Sequence, residues 1–247
     1  MSASGRMDLR ICHLYPDLMC IYGDRGNVIA LSQRARWRGI DVAVRELEAG
    51  DTLDPDWADF YLFGGGQDIG QDVVSKDLQG ANGDALKRSI AGGAAVLSIC
   101  GGYQLLGHEY VPAEGPAIPG LSVLDVTTRA GKVRFVGNLL ADAPQGPLIG
   151  FENHSGYTYL GPKATPLATV RVGHGNNGAD KTEGAVQGRT IGTYCHGSVL
   201  PKNPWLADML LAWALERRHG PAILAPLDDI EELAAQRSAA EVAAARP

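Results

Sequence analysis

Ala94 to Ile99, a run of apolar and small residues, leads into Cys100-Gly101-Gly102. A strand of that composition is buried on both faces, which calls for a parallel sheet covered by helices. The helical pattern from Gly102 to His108 follows at once, so the chain must turn a sharp strand-to-helix corner at the cysteine. The flanking segments keep the same rhythm. Leu9–Leu14, Val42–Leu47 and Asp59–Phe63 read as strands, and Asn27–Arg38 and Asp77–Ala91 as helices. Gly39 stops the first helix, and Gly80 and Gly83 weaken the start of the second. The alternation predicts an α/β fold, whose ligands bind beyond the carboxyl ends of the strands. Phe63 and Ile99 are two such ends, so Gly64-Gly65-Gly66 and Cys100 should share one edge.

From Leu121 to Cys195 the segments are short, β-rich and divided by glycine and proline. Helix returns over Pro204–Arg217, where Trp205, Leu206, Met209, Leu210, Trp213 and Ala214 form an apolar face. Residues 8–217 read as one domain with no internal repeat. Residues 218–247 read as a C-terminal tail, in which Ile230, Leu233, Ala234 and Val242 allow a weakly amphipathic helix. That tail is either solvated or a docking helix for a partner.

Composition narrows the function. A chain of 247 residues, 45% hydrophobic, supports its own core. A net charge of −6 disfavours nucleic-acid binding, which needs a surplus of Lys and Arg. No apolar run is long enough to span a bilayer, and Met1–Leu9 lacks the apolar core of a secretory signal. Cys12, Cys20, Cys100 and Cys195 show no paired spacing, so a reduced, cytoplasmic protein without disulfides or a cysteine metal site is expected. No Walker glycine-lysine pattern and no HExxH occur. Chemistry that consumes ATP therefore belongs on another polypeptide.

Three motifs carry chemistry. Cys100, exposed by its corner and followed by two glycines, fits a nucleophile, and the start of a helix favours its thiolate. The glycine loop after Phe63 can present backbone N–H groups to an oxyanion, with Gly65 giving one donor and Gly101 the other. Gly192-Thr193-Tyr194-Cys195-His196-Gly197 ends a strand on His196, a candidate base for Cys100. His154, within Phe151-Glu152-Asn153-His154-Ser155-Gly156, is the competing base. Cys195 should face away from His196 along the strand.

Cys-Gly-Gly-Tyr-Gln after an apolar strand, with a late Thr-Tyr-Cys-His-Gly, resembles the class I glutamine amidotransferases. The resemblance lies in the branch that includes the glutaminase domains of cobyrinate and cobyric acid synthases. Tyr15-Pro16-Asp17-Leu18-Met19, Ile21-Tyr22-Gly23-Asp24-Arg25-Gly26-Asn27, Phe63 to Asp68 and Val133 to Asn138 are similar, within it, to the glutaminase subunits of lipid II isoglutaminyl synthases. The resemblance covers residues 8–217 and implies a flavodoxin-like sheet covered by helices, with a β-rich second half. It implies that Cys100 attacks the amide of L-glutamine, that the Gly65/Gly101 region holds the oxyanion and that His196 protonates departing ammonia. Arg134 then binds the substrate, an arginine fork suiting the α-carboxylate. The implied partner is a MurT-like subunit of the Mur ligase family, forming a heterodimer. That subunit would use ATP and magnesium to activate the α-carboxylate of D-glutamate in the lipid II stem peptide. No cofactor is expected in this chain. The class often has a glutamate two residues after the histidine. Here Ser198 stands there; the cobyric-acid branch also lacks that glutamate, which leaves the group that orients His196 unidentified. Ser98 stands where the class often has glycine. A glutaminase for another acceptor, such as a corrinoid, and an inactive scaffold of the same fold are the alternatives.

Overall fold

The computed structural model describes residues 7–21, 23–196 and 198–245. The N-terminal stretch through Arg6, Tyr22 of the Ile21–Asn27 motif, Gly197 after His196 and the last two residues lie outside them.

The chain opens with β1 (Asp8–Leu14), α1 (Arg25–Trp37) and β2 (Asp41–Leu47). It continues through β3 (Phe60–Phe63), α2 (Asp68–Leu78), α3 (Ala81–Ala91), β4 (Ala95–Ile99) and α4 (Gly101–Leu106). The β-rich stretch supplies β5 (Glu109–Val111), β6 (Ile118–Pro119), β7 (Val126–Ala143), β8 (Gly146–Leu160), β9 (Ala168–Val172) and β10 (Thr182–Glu183). Then come β11 (Ala185–Gln187), β12 (Thr190–Thr193), α5 (Val199–Lys202), α6 (Pro204–His219) and α7 (Ile230–Ala245).

The single helix expected over Asp77–Ala91 is two. Gly80 is extended at φ −108° and ψ −151°, which ends α2 and begins α3. A side chain at Gly83 would begin 1.8 Å from the Leu78 carbonyl oxygen, so glycine lets the two helices meet. Most of α2 escaped the sequence reading because Gly70 interrupts it and Ile69 and Val73 face solvent.

The apolar runs form the centre of a six-stranded sheet ordered β11-β12-β4-β3-β1-β2. Every residue of β3 and β4 is buried, as helices on both faces require. β2 lies at the edge and exposes Asp41, Arg45 and Glu46, charges that discourage pairing with another chain. Only β11 is antiparallel to its neighbour. Leu14 is in register with Phe63, Phe63 with Ser98, and Ile99 with Thr193. Four strands therefore release their chains at one edge. The Tyr15–Asp24 turn, the Gly64–Gly66 loop, Cys100 and His196 all begin there.

β7 and β8 form a long hairpin in a second sheet, with a register shift between Ala130 and Phe135. Arg134 sits in that irregular stretch, where a bulge re-aims side chains. The second sheet is tied to the first through the His196 N–H, which donates to the Phe151 carbonyl at 2.7 Å. The second half thus returns β11 and β12 to the first sheet rather than building a separate body.

The C-terminal segment docks on its own chain. Ala243 is buried with Leu140 and Ile149, and Ala239, Ala240 and Val172 pack around them. Arg34 of α1, only 5% exposed, bonds Asp208 at 2.7 Å and Asp229, just before α7, at 2.6 Å. Helix α7 therefore packs an alanine face on the β7–β8 hairpin, while Ile230, Leu233 and Val242 stay exposed. Deleting residues 228–247 is expected to lower Tm by roughly 5–10 °C, for about 2–3 kcal/mol of lost packing and ion pairing. An unchanged melting curve would contradict this docking.

Candidate functional site

Cys100 stands at the corner between β4 and α4 with φ 49° and ψ −105°. A positive φ outside glycine costs ~1–3 kcal/mol and concentrates at functional sites. The two glycines that follow are sterically fixed. A Cβ on Gly101 would fall 2.5 Å from Gln71 Nε2, and one on Gly102 2.6 Å from the Phe63 carbonyl oxygen. The turn can therefore pack only without side chains at both positions.

His196 reaches the same place from the end of β12. A Cβ on Gly65 would lie 3.1 Å from His196 Cε1, 3.4 Å from Cys100 Cβ and 3.6 Å from Asp24 Oδ2. The glycine loop thus threads between nucleophile, imidazole and a carboxylate. His196 is 1% exposed, and burial, with the positive charge of Arg134, pushes its pKa down to about 4. It is held neutral near pH 7, as a proton acceptor must be. Ser198 donates to the Gly23 carbonyl at 2.8 Å and Leu200 N–H to Asn27 Oδ1 at 2.9 Å. These bonds clasp the histidine segment to the turn that carries Asp24.

A cavity of about 390 Å³ opens above Cys100. Gly66, Gln104, Arg134, Asn153 and His154 line it. Arg134 Nε donates to Asn153 Oδ1 at 2.7 Å, which holds the guanidinium at the cavity wall. Behind Cys100 runs a buried chain of hydrogen bonds. Gln71 donates to Gln104 at 3.0 Å and Gln104 to the Tyr194 hydroxyl at 3.1 Å, and Tyr194 meets Thr158 at 2.7 Å. Gln104 of the Cys-Gly-Gly-Tyr-Gln motif is thereby a brace for the cavity floor.

The competing histidine, His154, shares the wall but is locked. Its ring stacks on Tyr194 with centroids 3.6 Å apart, and its Nδ1 donates to the Gly156 carbonyl at 2.7 Å. Burial pushes its pKa down to about 3. Cys195 is fully buried against Gly150 and Glu183. Glu183, given no role by the sequence reading, accepts the Tyr194 N–H at 2.9 Å and fixes the strand end that delivers His196. Burial raises its pKa to about 7.

In the glycine loop, the N–H expected to face an oxyanion at Gly65 is already engaged. The Gly65 N–H donates to Asp24 Oδ2 at 2.8 Å, so it is turned away from the cavity. Gly66 lines the cavity instead, and its nitrogen lies 3.0 Å from where a Gly101 Cβ would be. Sequence alone could not choose among three successive glycines. Asp24 lay in plain view in the Ile21–Asn27 motif, yet only the fold brings it to residue 65. Among the described residues no cluster of His, Cys, Asp or Glu is arranged to hold a metal ion, and all four cysteines are free. Among them, too, no helix is long and apolar enough to cross a membrane.

Comparison with known proteins bears on this arrangement. Residues 10–204 match the family model described as a CobB/CobQ-like glutamine amidotransferase domain. The chain is 38% identical to the lipid II isoglutaminyl synthase (glutamine-hydrolyzing) subunit GatD of Staphylococcus aureus, over 93% of this chain and 94% of that one. It is 37% identical to the subunit of the same name from Streptococcus pneumoniae, over 94% and 90%. A probable cobyric acid synthase of Methanothermobacter thermautotrophicus is 34% identical over 64% of this chain and 33% of its own. Among solved structures, a glutamine amidotransferase aligns with a TM-score of 0.56 at 16% identity, over 82% of this chain and 98% of that one. The glutaminase domain of Trypanosoma brucei CTPS with bound acivicin aligns with a TM-score of 0.54 at 8% identity, over 88% and 96%. These two likenesses bear on the fold alone.

Proposed function

The chain belongs to the CobB/CobQ-like glutamine amidotransferase family, and from that premise we propose that it is the glutamine-hydrolysing subunit of a lipid II isoglutaminyl synthase. The observation that carries the reading is that Gly65 lies against both Cys100 and His196, beside a cavity lined by Cys100 and Arg134. The end-to-end match to the GatD subunits favours this acceptor over a corrinoid, since the corrinoid enzyme is matched over only 33% of its length.

In this reading Arg134 takes the α-carboxylate of L-glutamine and the side-chain amide reaches Cys100. His196 accepts the thiol proton as Sγ attacks the amide carbon. The tetrahedral oxyanion is held by the N–H groups of Gly66, on the cavity wall, and of Gly101, next to the nucleophile. His196 returns its proton to the amide nitrogen, the C–N bond breaks, and ammonia leaves a γ-glutamyl thioester. Water, deprotonated by His196, hydrolyses it to glutamate. The ammonia passes to a MurT-like ligase subunit in the cytoplasm. That partner, holding ATP and magnesium, activates the α-carboxylate of D-glutamate in the lipid II stem peptide.

The test is the complete reaction. The chain, its MurT-like partner, ATP, magnesium, lipid II and L-glutamine should yield amidated lipid II and glutamate in equal amounts. Glutamate release with no amidated lipid II would leave a glutaminase of another acceptor. Arg134→Ala is expected to raise KM for L-glutamine at least ~10-fold by removing a charge-assisted pair, with Tm unchanged. Unaltered kinetics would remove Arg134 from the substrate site.

A further inference from the structure

Asp24 occupies the N-cap position of α1, where an aspartate ordinarily accepts a hydrogen bond from the first turn of the helix. Its side chain makes no such bond. The residue is 0% exposed, Oδ2 is spent on the Gly65 N–H, and Oδ1 has no hydrogen-bond partner among the described residues. Burial pushes this carboxyl up to about 6, with the Gly65 amide pulling the other way. A buried carboxylate half satisfied in this way costs stability. Helix capping does not account for it.

Its effect on the glycine loop can be followed peptide by peptide. The Gly64 carbonyl accepts from Gly102 N–H at 3.1 Å, and the Gly65 N–H of the same peptide donates to Asp24. The Gly65 carbonyl accepts from Ile21 N–H at 3.3 Å, so the N–H of Gly66, trans across that peptide, points the opposite way. The Gly66 carbonyl accepts from Gln71 Nε2 at 3.3 Å. Each polar group from the Gly64 carbonyl to the Gly66 carbonyl is held, apart from the Gly66 N–H on the cavity wall. Close packing keeps the loop from drifting, for a Cβ on Gly64 would fall 2.0 Å from the Met19 carbonyl oxygen and 2.9 Å from Asp24 Oδ2.

Resting on the glutaminase reading above, we propose that Asp24 is a positioning residue for the reaction: its carboxylate turns the Gly65 amide aside and leaves the Gly66 amide to meet the oxyanion beside that of Gly101. Asp24 touches neither substrate nor the reacting atoms, so it acts through the loop. Stability is exchanged here for orientation of a donor.

The experiment compares wild type, D24A and D24N in the full chain, alone and with its partner subunit. Three quantities are read: kcat and KM for L-glutamine hydrolysis, the rate of Cys100 alkylation by iodoacetamide followed by peptide mapping, and Tm. D24A should lower kcat at least ~100-fold, the cost of a misplaced oxyanion donor, with KM and alkylation within about threefold of wild type. D24N keeps an oxygen that accepts the Gly65 N–H, so its kcat should return to within about tenfold of wild type. Its Tm should be no lower than wild type, since it removes a buried charge. Full kcat in D24A would overturn the proposal. So would D24N as slow as D24A, or a loss of kcat matched by slower alkylation, which would put Asp24 on the thiolate instead. A wild-type chain that is alkylated at Cys100 yet releases no ammonia from glutamine would overturn the glutaminase reading itself, a result distinct from the others.

Discussion

Replacing Cys100 by alanine is expected to lower ammonia release from L-glutamine by at least ~10⁴-fold, to the background of the assay. In this reading its Sγ carries the γ-glutamyl group between the two half-reactions. Cys195 cannot replace it, being fully buried behind the β12 end, against Gly150 and Glu183. The fold should be untouched. Cys100 is 8% exposed at a turn whose shape is set by Gly101, Gly102 and the bond from Cys100 N–H to the Thr193 carbonyl at 2.9 Å. Alanine keeps that backbone, so stability should change by less than ~1 kcal/mol. The variant should also support lipid II amidation by the partner when ammonium salt replaces glutamine. Failure of that rescue would show damage beyond the nucleophile.

His196→Asn is expected to lower kcat by about 10³-fold, the usual worth of a general acid–base group. Asparagine fits the buried site and keeps the backbone bond to Phe151, but it cannot shuttle a proton. The wild-type pH profile gives a sharper reading. Burial lowers the His196 pKa from its ordinary 6.5 to about 4, so the imidazole stays a base as pH falls through 6. The acid limb of kcat/KM that His196 controls should therefore lie below pH 5. An acid limb centred near 6.5 would mean a solvated imidazole and a different base. The same shift bears on stability. A histidine whose folded pKa is depressed stabilises the protein above the unfolded value, and that contribution is lost as pH falls from 6.5 through 4. His13 and His154, with pKa values about 4 and 3, act in the same direction. Asp24 and Glu183, raised to about 6 and 7, act in the opposite one, because the folded chain takes up their protons first. The groups oppose each other between pH 6 and 4.5, so melting should change little there and fall more steeply below.

The sheet and its reactive edge were legible because both depend on local pattern. Unbroken apolar runs at Phe60–Phe63 and Ala95–Ile99 demand a sheet buried on both faces, and glycine directly after a strand marks where the chain turns. Cys100 and His196 stood out as candidates because each follows a strand end, and the fold brings both beside Gly65. What was not legible depends on contacts distant in sequence. That the Gly65 N–H is already engaged follows from Asp24, forty-one residues earlier in the chain. The stacking of His154 on Tyr194, forty residues later, is likewise a contact that only the fold creates. The C-terminal helix looked weakly amphipathic because its buried contacts are mostly alanine. The Asp229 anchor to Arg34 joins residues that are 195 apart. Glycine requirements were legible only as turns. The structure adds close approach, as at Gly192, where a Cβ would fall 1.9 Å from the Tyr103 ring.

The central claim is that Cys100 carries the γ-glutamyl group of L-glutamine. The most direct measurement is intact-protein and peptide mass spectrometry after mixing the chain, in complex with its partner, with L-glutamine and quenching in acid within a turnover. The account predicts a γ-glutamyl adduct on the peptide that contains Cys100, absent from Cys100→Ala. Ammonia release with no adduct at Cys100, or an adduct on Cys20 or Cys195 instead, would contradict it.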